Sequence, residues 1–458
     1  MVNIAGNTFR KVRTRMVRAT AMADRLRAFA PLCAVLAAGL MLFTPSLADA
    51  QYVPDYFPVG VPGYDKDMGV TVVTRVRPLY EQAGMRLGSF IIRPNLNEGV
   101  GYNSNINGTS GGPSSWFVET NPSLQINSDW GRNAVGAFVS ADSFVYPQQT
   151  NQNQVSWQGG IGGAYTIGRG DLTLAYAHLS LFETPTEIGA PRTATPLPYT
   201  VDDVRTGYTF DFGRWSLSPN FEFQHWQYGS ATIGGVVSDQ SFRDEDAFIY
   251  GGSLRYDLSG KTGLLVVLRG TSSQFVQQPN GLPSLSSNSG AALAGIDYKY
   301  DGLWRYQLLV GFEVRTFANA AVKTHTSPIL QGTVIYTPTG LTTLTATALR
   351  TIEDPTTASN FGFNYTRGQL RVDHEYLRNV LLDGEVGIEN ASYIGGGSQT
   401  YYYAGTGLTW LINRNMRLSA HYQFTEGNNG SGVVTTGPNA VGSAFNQHLV
   451  LVQLSFGL

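Results

Sequence analysis

Arg367, Gln369, Arg371, Asp373 and Glu375 occupy alternate positions of one stretch, and Asp383, Glu385 and Glu389 share one parity in the next. Alternate residues of a strand share a face, so two neighbouring strands would set arginines beside carboxylates. Asp203 with Arg205, Arg255 with Asp257, and the set Arg305, Glu313 and Arg315 repeat the arrangement. Charged rows of this kind suit the water-filled inside of a pore, where they bias which solutes pass. The mixed signs argue against a strong filter for either anions or cations. The chain has only five lysines, so arginine carries the positive charge, and its planar fork suits bidentate pairing with carboxylates.

Catalytic and metal chemistry have less support. The six histidines, His178, His225, His325, His374, His421 and His448, include no H-x-x-x-H or H-E-x-x-H pair, so zinc has no sequence case. Asp202-Asp203 and Asp244-Glu245-Asp246 are acidic clusters that could hold Ca²⁺ or act as a carboxylate pair. Solvated charge near loops is the plainer reading. The expectation is a non-enzyme without cofactor or metal site.

The elements that must position the charged rows read as hairpins. Trp304, Tyr306, Leu308, Val310, Phe312 and Val314 fall on one face of a strand, opposite Arg305, Gln307, Gly311, Glu313 and Arg315, with Leu309 the exception. Trp215, Leu217, Phe221 and Phe223 repeat the pattern, as do Val450, Val452, Leu454, Phe456 and Leu458. Short turn signals stand at 129–132, 168–170, 211–214, 258–261, 300–302, 337–340, 377–379 and 413–415, rich in the Gly, Asn, Asp and Pro that tight turns require. Longer polar connections alternate with them near 104–115, 147–153, 182–198, 229–242, 276–288, 317–327, 351–360, 394–399 and 427–444. Eight turns and nine loops join about 18 strands (16–18, since 186–200 and 327–350 alternate weakly), from Phe90 to Leu458.

The fold class implied is all-β: a single antiparallel transmembrane barrel with short periplasmic turns and long extracellular loops. A soluble sheet of this size would leave open edges and need a second layer; a sandwich tandem or a β-helix is the soluble alternative. Only 14% of residues are charged, against about 25% in a typical soluble domain, as expected if half of every strand faces lipid. The net charge of −2 excludes a nucleic-acid binder by bulk charge.

The first fifty residues read as a cleaved signal peptide. A basic region (Arg10, Lys11, Arg13, Arg15, Arg18, Arg25, Arg27) precedes the apolar stretch 28–43 and the small-residue site Ala48-Asp49-Ala50. That stretch is short for a membrane helix, which needs about 20 apolar residues. Cleavage removes seven basic and two acidic side chains, leaving a 408-residue chain of net charge −7. It also removes Cys33, the only cysteine, so disulfides are excluded. The expected division is 1–50 signal peptide, 51–88 periplasmic segment and 89–458 outer-membrane barrel. Residues 51–88, with Pro54, Pro58 and Pro62, could trail in the periplasm, bind a partner or fold into the pore.

Aromatic residues are expected to form girdles at the two membrane interfaces. Trp130, Phe212, Trp215, Tyr300, Trp304, Tyr376 and Trp410 lie beside short turns. Tyr146, Trp157, Trp226, Tyr228, Phe317, Tyr393 and Tyr401 to Tyr403 lie toward the long loops.

Residues 76–106, VRPLYEQAGMRLGSFIIRPNLNEGVGYNSNI, carry a resemblance. Val76-Arg77-Pro78 through Tyr80, Gly84, Arg86-Leu87-Gly88-Ser89-Phe90, Pro94 and Tyr102 to Asn105 resemble the start of the putative β-barrel porin 2 family of Gram-negative outer-membrane proteins. The strand pattern beyond resembles that family over nearly the whole mature chain. The resemblance implies an outer-membrane location, insertion by the barrel assembly machinery and outer-membrane lipid around the wall. Since several members accompany exopolysaccharide secretion machinery, it also implies periplasmic secretion proteins as partners. One departure is the C-terminus, where Leu458 follows Phe456 and Gly457 in place of a final aromatic residue. Three functions fit: a porin-like diffusion channel, an accessory component of exopolysaccharide export, or a structural or adhesive barrel.

Overall fold

The computed structural model describes residues 61–62, 70–278, 283–298, 303–358, 360–433, 440–442 and 444–458. The signal peptide, most of 51–69, and the Tyr300-Asp301-Gly302 turn lie outside the described residues.

A short strand β1 (Met85–Leu87) folds back on β2 (Phe90–Asn103). The wall continues through β3 (Ser115–Ser128), β4 (Ala134–Val145), β5 (Gln154–Ile167), β6 (Gly170–Glu183), β7 (Leu197–Phe212) and β8 (Trp215–Tyr228). A loop hairpin, β9 (Ser230–Ile233) with β10 (Val236–Asp239), interrupts it. The wall resumes with β11 (Glu245–Asp257), β12 (Thr262–Phe275), β13 (Ser287–Tyr298), β14 (Trp304–Phe317), β15 (His325–Thr339) and β16 (Thr342–Glu353). It ends with β17 (Phe363–Leu377), β18 (Val380–Tyr393), β19 (Ser398–Leu411), β20 (Met416–Asn429) and β21 (Phe445–Gly457). Each wall strand pairs antiparallel with its neighbour, β8 pairs with β11, and β2 pairs with β21, with Asn95 opposite Gly457 and Asn103 opposite Leu449. The sheet is therefore a closed barrel of 18 strands. Closure leaves no edge whose backbone groups would go unpaired in lipid.

Side-chain parity divides the wall as the sequence pattern predicts. Leu308, Val310, Phe312 and Val314 on β14, Leu217 and Phe221 on β8, and Val450, Val452 and Phe456 on β21 point outward and are exposed. Trp130, Phe212, Trp215, Trp304, Tyr376 and Trp410 are exposed beside the short turns, forming the periplasmic girdle.

The inner face departs from a simple polar lining. Leu309 is no isolated exception. It packs inward with Leu265, Ala291, Leu293 and Ile329. A second inward apolar sector joins Phe138, Ala175, Ala177, Leu179, Leu181, Tyr199, Val201 and Trp226 around Val61. The extracellular girdle is also different from the expectation. Trp157 and Tyr402 do face outward, but Tyr146, Trp226, Tyr393 and Tyr401 are buried inside. The register explains it: Trp226 shares the inward parity of Gln224, and the loops fold over these rings rather than standing clear of the membrane.

Candidate functional site

The site is the lumen, and its charged rows follow from strand register. On β17 and β18, Arg367 faces Glu389 and Arg371 faces Glu385 directly across the ladder. The Arg367 Nε lies 3.5 Å from Glu389. Arg371 reaches three carboxylates: Asp373 at 3.0 Å, Asp383 at 3.5 Å and Glu385 at 3.5 Å. Asp373 and Asp383 are themselves cross-strand partners; like charges so placed repel, and the guanidinium between them offsets that. Asp203 and Arg205 pair at 2.9 Å, Arg255 and Asp257 at 2.8 Å, and Glu313 and Arg315 at 3.8 Å. Arg305 is on the same inner face but near the opposite end of β14 from Glu313 and Arg315, so these three do not form one cluster.

The structure adds partners that the sequence reading missed. Glu222 on β8 takes Arg205 at 3.0 Å, Asp297 on β13 takes Arg255, and Arg269 on β12 reaches Glu313 at 3.2 Å. Arg315 also binds Asp354 at 2.7 Å. Parity was the available signal for Glu222, Asp297 and Arg269, each at an inward position of its own strand; Asp354 lies in the loop just after β16 and carried no such signal. A scan along single strands overlooks pairs made between them.

The two acidic clusters come apart. Asp203 is buried inside, whereas Asp202 points outward to Tyr176 and His178 at 2.7 and 2.8 Å. Glu245 is buried inside, and Asp246 points outward to His225 at 2.6 Å. Among the described residues no group of three His, Cys, Asp or Glu side chains could hold a metal. The run Gly108-Thr109-Ser110-Gly111-Gly112 has the spacing of a hydrolase nucleophile turn. It lies in a loop between strands β2 and β3, without the strand-to-helix turn that exposes such a serine.

Both mouths carry inserted chain. On the extracellular side, loop 184–196 crosses from β6 and β7 to the far wall. The Gly189 N–H donates to Gln399 Oε1 at 3.1 Å, Pro191 bridges to Val441, and the Arg192 N–H donates to the Ala440 carbonyl at 2.8 Å. Gly189 has φ +81°, and a Cβ there would come within 2.9 Å of the Phe363 ring, so a side chain would meet both strain and collision. Nearby, Arg243 and Glu183 form a buried ion pair at 2.6 and 3.1 Å, with Arg243 stacked 4.0 Å from the Tyr228 ring centre. Burial alone would weaken proton binding by Arg243. The Glu183 carboxylate more than reverses this and holds the guanidinium above its ordinary range.

On the periplasmic side, residues 70–82 lie against the inner wall. The Val72 N–H donates to Thr343 Oγ1 at 2.9 Å. Arg75 and Arg77 share Glu375, at 3.3 and 2.8 Å, next to the register shift at 375–377 that ends the β17–β18 ladder. Glu375, expected to line a pore, is thus occupied by the segment that precedes the barrel. Further up the chain, Val61 and Pro62 rest on Gly136 and Gly162 of the inner wall. A side chain at Gly162 would collide with the Pro62 carbonyl.

A family model described as putative beta-barrel porin 2 matches residues 77–450. The chain belongs to this family. It is a porin-like β-barrel of the outer membrane, and the motif at 76–106 and the strand pattern from Phe90 onward fall largely within the matched span. No curated protein matches the sequence. Among solved structures it is similar to Pseudomonas aeruginosa OpdK with vanillate, at 12% identity and a TM-score of 0.44, over 80% of this chain and 99% of that one. It is also similar to Acinetobacter baumannii OccAB2, at 11% identity and 0.44, over 81% and 100%. The copper transporter OprC matches at 9% identity and 0.44, over 82% and 81%.

Proposed function

We propose that this porin-family barrel is a diffusion channel for small polar solutes, without catalytic activity. The observation that carries the reading is the inner wall. Arginine–carboxylate pairs recur from β7 to β18 on the face away from lipid, and several remain reachable by water. The Arg269 and Asp257 side chains keep 31% and 39% of their exposure. A charged side chain on that wall is stable only if it is paired or hydrated. Pairs of both signs would hold an aqueous path without excluding either ion class. The inserted loop 184–196 and the 70–82 segment narrow the two mouths, which favours small solutes over polymers.

An exopolysaccharide-export role would have residues 51–88 dock on a periplasmic partner. The contacts of Val72, Arg75 and Arg77 with the inner wall occupy the same segment, so that role requires them to release. Planar-bilayer recording of the purified, folded barrel tests the channel. Discrete ohmic openings of modest conductance are expected. A correctly folded protein that inserts and passes no current would sink the reading.

A further inference from the structure

Within the eighteen wall strands, among the described residues, one arginine or lysine faces lipid. Arg350 on β16 lies directly opposite Leu330 on β15, which in turn lies opposite the exposed Val310 on β14. Its guanidinium is held by two neutral acceptors on either side: Nε donates to the Pro328 carbonyl at 3.1 Å and Nη1 to Thr366 Oγ1 at 2.6 Å. No carboxylate pairs with it among the described residues, unlike Arg205, Arg255, Arg315, Arg367 and Arg371 inside. A charge on the lipid face is unfavourable at the midplane and tolerated near the interface. Arg350 is near the interface, three residues from the extracellular end of β16.

A groove of about 660 Å³ leads away from it across the outer wall. Its floor is set by two small residues of β13, Ala292 and Ala294, between the larger Val266, Val310, Phe312 and Leu330. The ladder register places Val266, Ala294, Val310, Leu330, Arg350 and Thr366 in one cross-strand row. Because barrel strands tilt, that row is oblique to the membrane. It begins at Val266, four residues from the periplasmic end of β12, and rises to Arg350 near the outer surface. The groove therefore has an apolar foot inside the bilayer and a cationic head at the level of lipid headgroups.

We propose that the groove seats one phosphorylated glycolipid of the outer leaflet, with a phosphate on Arg350 and Thr366 and an acyl chain laid over Ala294 and Ala292. Guanidinium and phosphate make charge-assisted hydrogen bonds of matching geometry, and the fixed orientation of Arg350 prepares it for that contact. A free phosphate would not use the apolar half of the site, and a neutral lipid would not use the cationic half.

Native mass spectrometry of the full, folded barrel tests this, with bis-phosphorylated lipid A, its dephosphorylated form and phosphatidylglycerol as probes. Saturable retention of one lipid A, at least tenfold tighter than the dephosphorylated form, is expected. Arg350→Gln should lose that preference, and Ala294→Leu, which fills the groove, should weaken lipid A and dephosphorylated lipid A together. Both substitutions point into lipid. If either variant fails to fold, the three-lipid comparison on the unaltered protein still decides. Equal retention of the three lipids, or unchanged lipid A binding in Arg350→Gln, overturns the proposal. Phosphatidylglycerol binding as tightly as lipid A would also overturn it.

Discussion

The two mouths of the barrel are narrowed by different physics. The extracellular mouth is narrowed by loop on loop. Backbone hydrogen bonds, the Gly189–Gln399 contact and the Arg243–Glu183 pair are all removed from water. The periplasmic mouth is held by side chains on a short arm, with one carboxylate, Glu375, serving both Arg75 and Arg77. The first arrangement is coupled to the fold of the wall, since Glu183 ends β6 and Gln399 is in β19. The second can let go without unpairing a strand. Loss of the outer contacts would therefore disturb the wall itself, whereas loss of the inner ones would leave every strand pairing in place.

Breaking the buried pair should have the largest effect. Arg243→Met leaves Glu183 buried without a partner, and losing one member of such a pair costs about 3–5 kcal/mol. Urea unfolding of the lipid-reconstituted protein should show a loss of that size, and the double variant Arg243→Met with Glu183→Leu should recover much of it. A double variant no better than the single one would mean that packing, not uncompensated charge, dominates there.

Gln399→Ala comes next. It removes the acceptor of both the Gly189 N–H and the Tyr393 hydroxyl, 3.1 and 2.6 Å away. Leaving buried donors unpaired costs about 1–3 kcal/mol. Loop 184–196 should become cleavable by protease added outside the cell, and single-channel current should become noisier. An unchanged protease pattern would show that the Pro191–Val441 bridge and its neighbours hold the loop unaided.

Glu375→Gln should separate the mouths most sharply. Global unfolding should change by about 1–1.5 kcal/mol: Arg77 and Glu375 are buried, but the replacing amide keeps an oxygen that can accept from Arg77, and Arg77 also donates to the Val72 carbonyl. Residues 70–82 should nevertheless become protease-sensitive from the periplasmic side, and conductance should rise. High salt should mimic only the part carried by Arg75, which is 31% exposed, since screening weakens exposed pairs most. Conductance unaffected by both changes would mean that the arm does not restrict the path. Arg86→Gln supplies the smallest effect. Its pair with Asp129, 2.5 Å apart and with Arg86 63% exposed, should be worth about 0–1 kcal/mol in the same unfolding assay.

Legibility in the sequence followed the range of the interaction. Each turn and loop that the structure describes falls where Gly, Asn, Asp and Pro mark it, and β14 shows the alternation that its residues dictate. The inward rows on β17 and β18 could be paired in advance because a tight turn at Arg378-Asn379 fixes their register. Arg255 with Asp297 could not. Its partner is two strands away, across Gly263 of β12, and only the registers of two successive hairpins bring the two together. The inward turn of Trp226 and Tyr401 was missed because an aromatic near a strand end looks alike whether lipid or a folded loop covers it.

By itself, the sequence determined an antiparallel barrel of 16–18 strands, its two faces and the ends that its turns and loops occupy; the structure set the count at 18. These depend on the period of two and on turn chemistry, which act over a few residues. Tertiary structure alone decided what fills the lumen. Glu375 is separated from Arg75 and Arg77 by 300 and 298 positions in the chain, and Gly189 from Gln399 by 210. No local pattern specifies such pairs. They exist because a closed wall brings distant segments into one confined space, where buried polar groups must find partners.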